Sequence, residues 1–212
     1  MREIYLLLSL SVLGLIFGSF VKVLVRRIPD GKGSNYPFLE VITAIVFVVA
    51  VQSVKGELLQ IAWGTFAVFG SALAAIDFEH HRLPNVLTYP LFVLGAGLFT
   101  ADAIVHDRLH NLGTALISAL ALGCFYGVVH LLSRGGLGLG DAKLGLTIGL
   151  YAGYVDAKGA YFASMFAFGL GSLVALALIV TKKGGRKTAL PFGPAMIIGL
   201  LIYQLMVPTF IF

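Results

Sequence analysis

The sequence predicts an all-α fold, a polytopic membrane helix bundle of about eight transmembrane helices. Three observations predict it. The 212 residues are 58% hydrophobic and only 12% charged, with a mean hydropathy of +0.96; a soluble domain runs at about 45–50% apolar and about 25% charged. The apolar residues fall into eight runs parted by polar punctuation. No polar stretch is long enough to form a separate soluble domain, so residues 1–212 read as a single integral membrane domain.

The runs are 4–25, 38–54, 58–77, 86–101, 111–132, 141–155, 159–181 and 191–211. A full span takes about 20 residues at 1.5 Å each. The first run differs from a signal peptide, because its stronger basic flank (Lys22, Arg26, Arg27) lies at its end and no Ala-x-Ala site follows. It is expected to be a retained span. The second run follows Tyr36-Pro37, and the third ends on Asp77. Pro84 cannot continue a helix, and Asn85 is expected to cap the fourth run. The fifth holds Cys124, the single cysteine, expected to be a small buried residue; it excludes an intrachain disulfide and thiolate metal clusters. The sixth opens on Asp141. Its shortness, and that of the fourth, suggests a water-accessible hollow on one side of the bundle. The seventh and eighth flank the basic cluster Lys182-Lys183-Gly184-Gly185-Arg186-Lys187, read as an orientation and anionic-lipid anchor.

Lysine and arginine counts set the orientation. Connections after odd-numbered runs hold Arg26, Arg27, Lys32, Arg82, Arg134, Lys182, Lys183, Arg186 and Lys187. The other side holds Arg2, Lys55, Arg108 and Lys158. Nine against four places the odd connections in the cytoplasm. Asp77, ending run three, and Asp141, opening run six, then lie at similar depth on that side. Asp102, Asp107 and Asp156 fall on the outer side, where they read as loop residues. The net charge of +5 follows from the same asymmetry and calls for no nucleic-acid partner.

An ionisable side chain at membrane depth is costly and marks a functional site by default. Asp77 stands at the C-terminal end of its run, where the helix dipole disfavours a carboxylate. Asp141 suits an N-cap, but capping leaves unexplained the four glycines in the six residues before it. Irregular, glycine-rich backbone at membrane depth survives where it is buried or lines a cavity. An extended substrate has room to lie along Gly138 and Gly140. Two facing carboxylates sharing a proton can activate a water and protonate a scissile carbonyl without metal or thiol. Asp77 and Asp141 are therefore the candidate catalytic pair. Glu79 either meets a basic substrate segment or is solvated. Lys143, two residues past Asp141, snorkels to the interface or helps tune the site; it stands with Gly138, Gly140 and Glu79 as a candidate on the substrate side. His80 and His81 lack a third ligand at a suitable spacing, so no metal is expected.

These residues resemble a known family. Gly138-Leu139-Gly140-Asp141 reads as the GxGD motif of membrane aspartyl proteases. With Ala142-Lys143-Leu144 it resembles the GxGDxKL form of type IV prepilin peptidases. Asp77 and the tail Leu83-Pro84-Asn85-Val86-Leu87-Thr88 resemble that family's first aspartate motif. Gly18-Ser19-Phe20 through Arg27-Ile28-Pro29, and Tyr36-Pro37-Phe38-Leu39-Glu40, resemble the opening of its bacterial members.

The resemblance implies an inner-membrane peptidase, with Asp77 and Asp141 catalytic, that cuts the basic leader from prepilins and pseudopilins at the cytoplasmic face. It places the protease core in 58–212. It also implies, for many members, N-methylation of the new terminus with S-adenosylmethionine and a zinc-binding first loop with paired CxxC motifs. Here residues 1–57 form a shortened N-terminal region whose first loop, Arg26 to Tyr36, has no cysteine, and Lys22 stands where members often have asparagine. Methylation, and with it a need for S-adenosylmethionine, is left open; Glu40 belongs to that activity or simply starts a helix. The alternative reading is a proton-coupled transporter using the aspartates as a relay. Such transporters often show repeated halves, and none is evident here.

Overall fold

The computed structural model describes residues 2–27, 36, 38–133, 137–181 and 191–207. Among these it holds eight α-helices and no strand: α1 (Arg2–Arg27), α2 (Leu39–Gln52), α3 (Glu57–His80), α4 (Asn85–Val105), α5 (Leu109–Leu132), α6 (Leu139–Val155), α7 (Gly159–Val180) and α8 (Phe192–Met206). Each helix matches one apolar run. Five of them, α1, α3, α4, α5 and α7, are long and apolar enough to cross a membrane; α2 and α8 are shorter apolar helices. The fourth run proves longer than its hydropathy suggested. It continues to Val105 through Asp102, a polar residue that the helix buries rather than excludes. Most of the first loop, including Asp30 and Lys32, and the basic cluster 182–187 lie outside the described residues.

Local chemistry sets the helix ends near the aspartates. α3 stops at His81, whose left-handed backbone (φ 49°) sends its N–H to the Asp77 carbonyl at 2.9 Å. Pro84, in extended conformation, is the N-cap of α4, and Asn85 is its first helical residue rather than its cap. Thr88 bonds back to the Pro84 carbonyl at 3.0 Å. Pro90 lies inside α4 and deprives the Val86 carbonyl of its usual helical donor.

The packing is layered around α3 and α6. α3 contacts α1, α2, α4 and α8, while α6 contacts α4, α5, α7 and α8. Tyr151 of α6 is the centre of the core. Its ring meets Trp63 and Phe66 of α3 and Phe99 of α4, at centroid distances of 5.5, 5.0 and 4.9 Å. Its hydroxyl donates to the Ala62 carbonyl at 3.1 Å. Ala62 is near the start of α3 and Tyr151 near the end of α6, so the two helices run antiparallel. The end of α3 and the start of α6 then lie at the same side of the bundle. The outer faces of α1 and α7 present Leu8, Ile16, Leu173 and Val180 to the surroundings. An apolar exterior of this extent is the kind a bilayer covers.

Two further expectations fail here. Asp102 is not a loop residue. It is 0% exposed, accepts from Tyr154 of α6 at 2.7 Å and from Arg108 at 3.3 Å, and has the His106 ring nitrogen 3.0 Å from its other oxygen. Burial of that carboxylate is tolerated because the Arg108 guanidinium and the Tyr154 hydroxyl donate to it. Cys124 is exposed, on the outer side of α5, rather than buried. Its neighbour Gly123, not the cysteine, faces α6, against Leu146.

Candidate active site

Asp77 and Asp141 are 4% and 7% exposed, deep enough that neither is an ordinary surface carboxylate. They line one cavity of about 810 Å³, together with Glu79, His81, Leu83 and Gly140, and lie within Coulomb range of each other. The last turn of α3, the connection to α4 and the first turn of α6 build its walls.

Each carboxylate is held through one oxygen by a main-chain donor at a helix N-terminus. Asp141 Oδ2 accepts from the Gly138 N–H at 2.9 Å. Gly138 is the N-cap of α6 and Asp141 the third helical residue, so the aspartate reaches back to the cap rather than being it. Leu139 and Gly140 are already helical, which corrects the expectation of irregular backbone up to Asp141. Asp77 Oδ2 accepts from the Gly193 N–H of α8, also at 2.9 Å. Among the described residues the second oxygen of each aspartate has no hydrogen bond, which leaves it available to a water or a substrate. Carboxylate pairs of this kind can share a proton and work as acid and base.

Leu83 separates the two halves of the site. A Cβ added to Gly140 would lie 2.8 Å from the Leu83 Cβ, and one added to Gly193 would lie 3.2 Å from its Cδ2. The glycines therefore admit the leucine between α6 and α8. Their small size serves close approach, a role distinct from the substrate contact expected of Gly138 and Gly140, both of which do line the cavity.

Glu79 also lines the cavity, and the Tyr36 hydroxyl hydrogen-bonds to its carboxylate. That hydroxyl lies 3.0 Å from the Ala75 carbonyl as well. Burial, followed by the Glu79 carboxylate, pushes the Tyr36 phenol above its ordinary range, so it stays a donor. His80 Nε2 lies 3.8 Å from Glu79. Lys143 does not line the cavity. It donates to Asn85 at 2.8 Å and lies over the Tyr89 ring at 5.3 Å, which clips α6 to the start of α4. Glu40 stands in the first turn of α2 and pairs with Lys22 of α1 at 2.8 Å. Among the described residues no group of three or more His, Cys, Asp and Glu is arranged to hold a metal ion.

Sequence reasoning missed Gly193, Leu83 and Tyr36. The motif Pro191-Phe192-Gly193-Pro194 was the available signal for the first, since a glycine between prolines at a helix start marks a special turn. Leu83 and Tyr36 stand in segments that resemble the family, but their roles come from residues distant in sequence and were not assigned.

Comparison with known proteins places the chain in a family. The model of the type IV leader peptidase family matches residues 64–180, which include both aspartates. The chain is 28% identical over 176 residues to a prepilin leader peptidase/N-methyltransferase of Pseudomonas aeruginosa, covering 78% of this chain and 56% of that protein. It is 30% identical over 175 residues to a protein of the same name from Bacillus subtilis, covering 80% and 65%. A type 4 prepilin-like proteins leader peptide-processing enzyme of Escherichia coli is 28% identical over 170 residues, covering 78% and 59%. The chain thus spans less than two thirds of these relatives' length. No solved structure matches it.

Proposed function

The chain belongs to the type IV leader peptidase family, and from that premise we propose that it is a membrane aspartic endopeptidase. Its substrates are prepilins or pseudopilins, and it removes their basic leader at the cytoplasmic face of the inner membrane. All eight helices sit in the bilayer in this reading, with the short α6 opening toward the cytoplasm. The observation that carries it is the shared cavity, with two buried carboxylates, each fixed by one oxygen and, among the described residues, without a hydrogen bond at the other.

The chemistry needs one ionised and one neutral aspartate. The ionised carboxylate takes a proton from a water held between the pair, and the water oxygen bonds to the scissile carbonyl carbon. The neutral carboxylic acid gives its proton to the carbonyl oxygen as the tetrahedral species forms. Collapse breaks the C–N bond, and the departing amine takes up a proton from the pair. Glu79, steadied by Tyr36, supplies negative charge at the mouth for a basic leader. It offsets part of the repulsion from a cytoplasmic face that also carries Arg82.

Proteolysis of this kind uses no cofactor. S-adenosylmethionine is needed only if the methyltransferase named in the relatives is retained. Glu40, the carboxylate that sequence held open for that activity, is engaged by Lys22, and no methyl-transfer step is derived from it. The test is expression in membranes with a prepilin. Mass spectrometry should show loss of the leader, and an intact prepilin would reject the reading. A methyl-sized mass gain on the product with S-adenosylmethionine present decides the second activity.

A further inference from the structure

We propose that Gly193, in the first turn of α8, is a positioning residue of the two-aspartate site, fixing Asp77 with its main-chain N–H and leaving room for the carboxylate by having no side chain. The inference rests on the reading of Asp77 as a reacting group. α8 lies outside the segment 64–180 that matches the family model.

Three observations carry it. The first is the bond itself: the Gly193 N–H donates to Asp77 Oδ2 at 2.9 Å in a buried setting. The second is space. A Cβ at position 193 would lie 2.9 Å from Asp77 Oδ2, 3.3 Å from Asp77 Cγ and 3.2 Å from Leu83 Cδ2, closer than side chains tolerate without displacement. The third is the pattern of donors. A helix start leaves its N-cap and first three N–H groups without helical partners. In α8 these positions are Pro191, Phe192, Gly193 and Pro194, and proline has no N–H. Only Phe192 and Gly193 carry donors there, and that of Gly193 goes to Asp77.

This contact also answers a difficulty with Asp77. Its carboxylate stands in the last turn of α3, where the carbonyl end of the helix repels negative charge. The N-terminal end of α8 brings the opposite partial charge to the same group. Asp141 obtains the equivalent contact within its own helix, from Gly138. The site is thus symmetric in its chemistry, one aspartate held by its own helix and the other by a helix from the far end of the sequence.

The test uses the full chain in lipid nanodiscs with a prepilin substrate. Gly193→Ala should lower kcat on the order of 10²-fold, as expected for misplacing a reacting group by a fraction of an ångström to about 1 Å, with KM changed by less than about threefold. Gly199→Ala is the matched control. Its Cβ would press on Ala163 O at 2.7 Å and Ala167 N at 2.8 Å, so it strains the α7–α8 contact without touching Asp77. It should leave kcat per folded molecule unchanged. A Gly193→Ala enzyme that turns over like the control overturns the proposal. A second arm needs no activity: the Gly193 amide proton resonance should lie downfield and move upfield in Asp77→Ala. A resonance indifferent to that change overturns the proposal even if Gly193→Ala does not fold. If the unmodified protein leaves prepilin intact, the peptidase reading fails, and the resonance still decides whether Gly193 holds Asp77.

Discussion

The Tyr151 hydroxyl of α6 donates to the Ala62 carbonyl of α3 at 3.1 Å, at the end of the helix pair away from the two aspartates. The same ring packs on Trp63, Phe66 and Phe99, and Gly95 of α4 makes space for it, since a Cβ there would lie 2.6 Å from its Cε2. Tight packing at one end and a cavity at the other fit a bundle in which α3 and α6 are held closed below and open above. Tyr151→Phe should cost about 1 kcal/mol of stability, from the lost hydrogen bond between α6 and α3. Tyr151→Ala should cost about 3–5 kcal/mol. Thermal unfolding in detergent checks both. An Ala variant as stable as the parent would remove Tyr151 from the centre of the core.

Leu83 and Gly140 set a second limit. A methyl at 140 would meet the Leu83 Cβ at 2.8 Å, and because that atom is close to backbone, relief requires the 81–84 connection or the start of α6 to move. Gly140→Ala should therefore reduce the cleavage rate and lower stability by about 1–3 kcal/mol. Gly97→Ala, where nothing lies within 4 Å, should be neutral or slightly stabilising. Equal effects of the two changes, measured as rate and melting temperature, would contradict this account of the cavity wall.

Asp102 ties α4 to α6 from the opposite side of the bundle through Tyr154, with Arg108 and His106 beside it. Removing one partner of such a buried charged cluster costs about 3–5 kcal/mol. Asp102→Ala should show that loss as a lower melting temperature, while the folded fraction keeps its kcat. A kcat that falls in the folded enzyme would give Asp102 a role in catalysis that its place in the fold does not suggest.

In the proposed reading, a basic leader would meet Glu79, a carboxylate of the cavity wall to which the Tyr36 hydroxyl hydrogen-bonds. The Tyr36 pKa is raised above its unfolded value of 10.0, by burial first and Glu79 second. A group raised on folding contributes stability that is fully present below the unfolded pKa and lost as pH rises through the folded one. The phenol therefore keeps its proton across neutral pH, and its contribution is lost as it ionises in strong alkali. Tyr36→Phe should raise KM for a leader rich in lysine and arginine, and Glu79→Gln should raise it further, with kcat nearly unchanged. Steady-state kinetics at two salt concentrations checks this, since the difference from the parent should shrink at high salt.

Much of this architecture was legible in the sequence, because membrane helices announce themselves by apolar length. Each run became a helix, with ends shifted by only a few residues apart from α4 and α8. The two aspartates were visible as charges in apolar surroundings, and the charge asymmetry put them on one side. What escaped was tertiary pairing. Asp102 looked like a loop residue because composition cannot show that Tyr154, more than fifty positions later, turns its hydroxyl toward it. Cys124 looked buried because which face of α5 packs on α6 depends on its neighbours. Asp141 and Asn85 were each placed at a cap, but the helices began earlier for one and at the residue itself for the other. Gly193 escaped for the same reason as Asp102: its partner lies 116 positions away in the chain.

The central claim is that Asp77 and Asp141 together perform peptide cleavage. Asparagine has nearly the shape of aspartate but cannot ionise, so Asp77→Asn and Asp141→Asn test the pair with little disturbance to the fold. In membranes bearing either variant and a prepilin, the account predicts that mass spectrometry finds only the uncut prepilin, while the unmodified protein yields the mass of the mature chain. Mature chain produced by either single variant at a rate near that of the unmodified protein would contradict the two-aspartate mechanism.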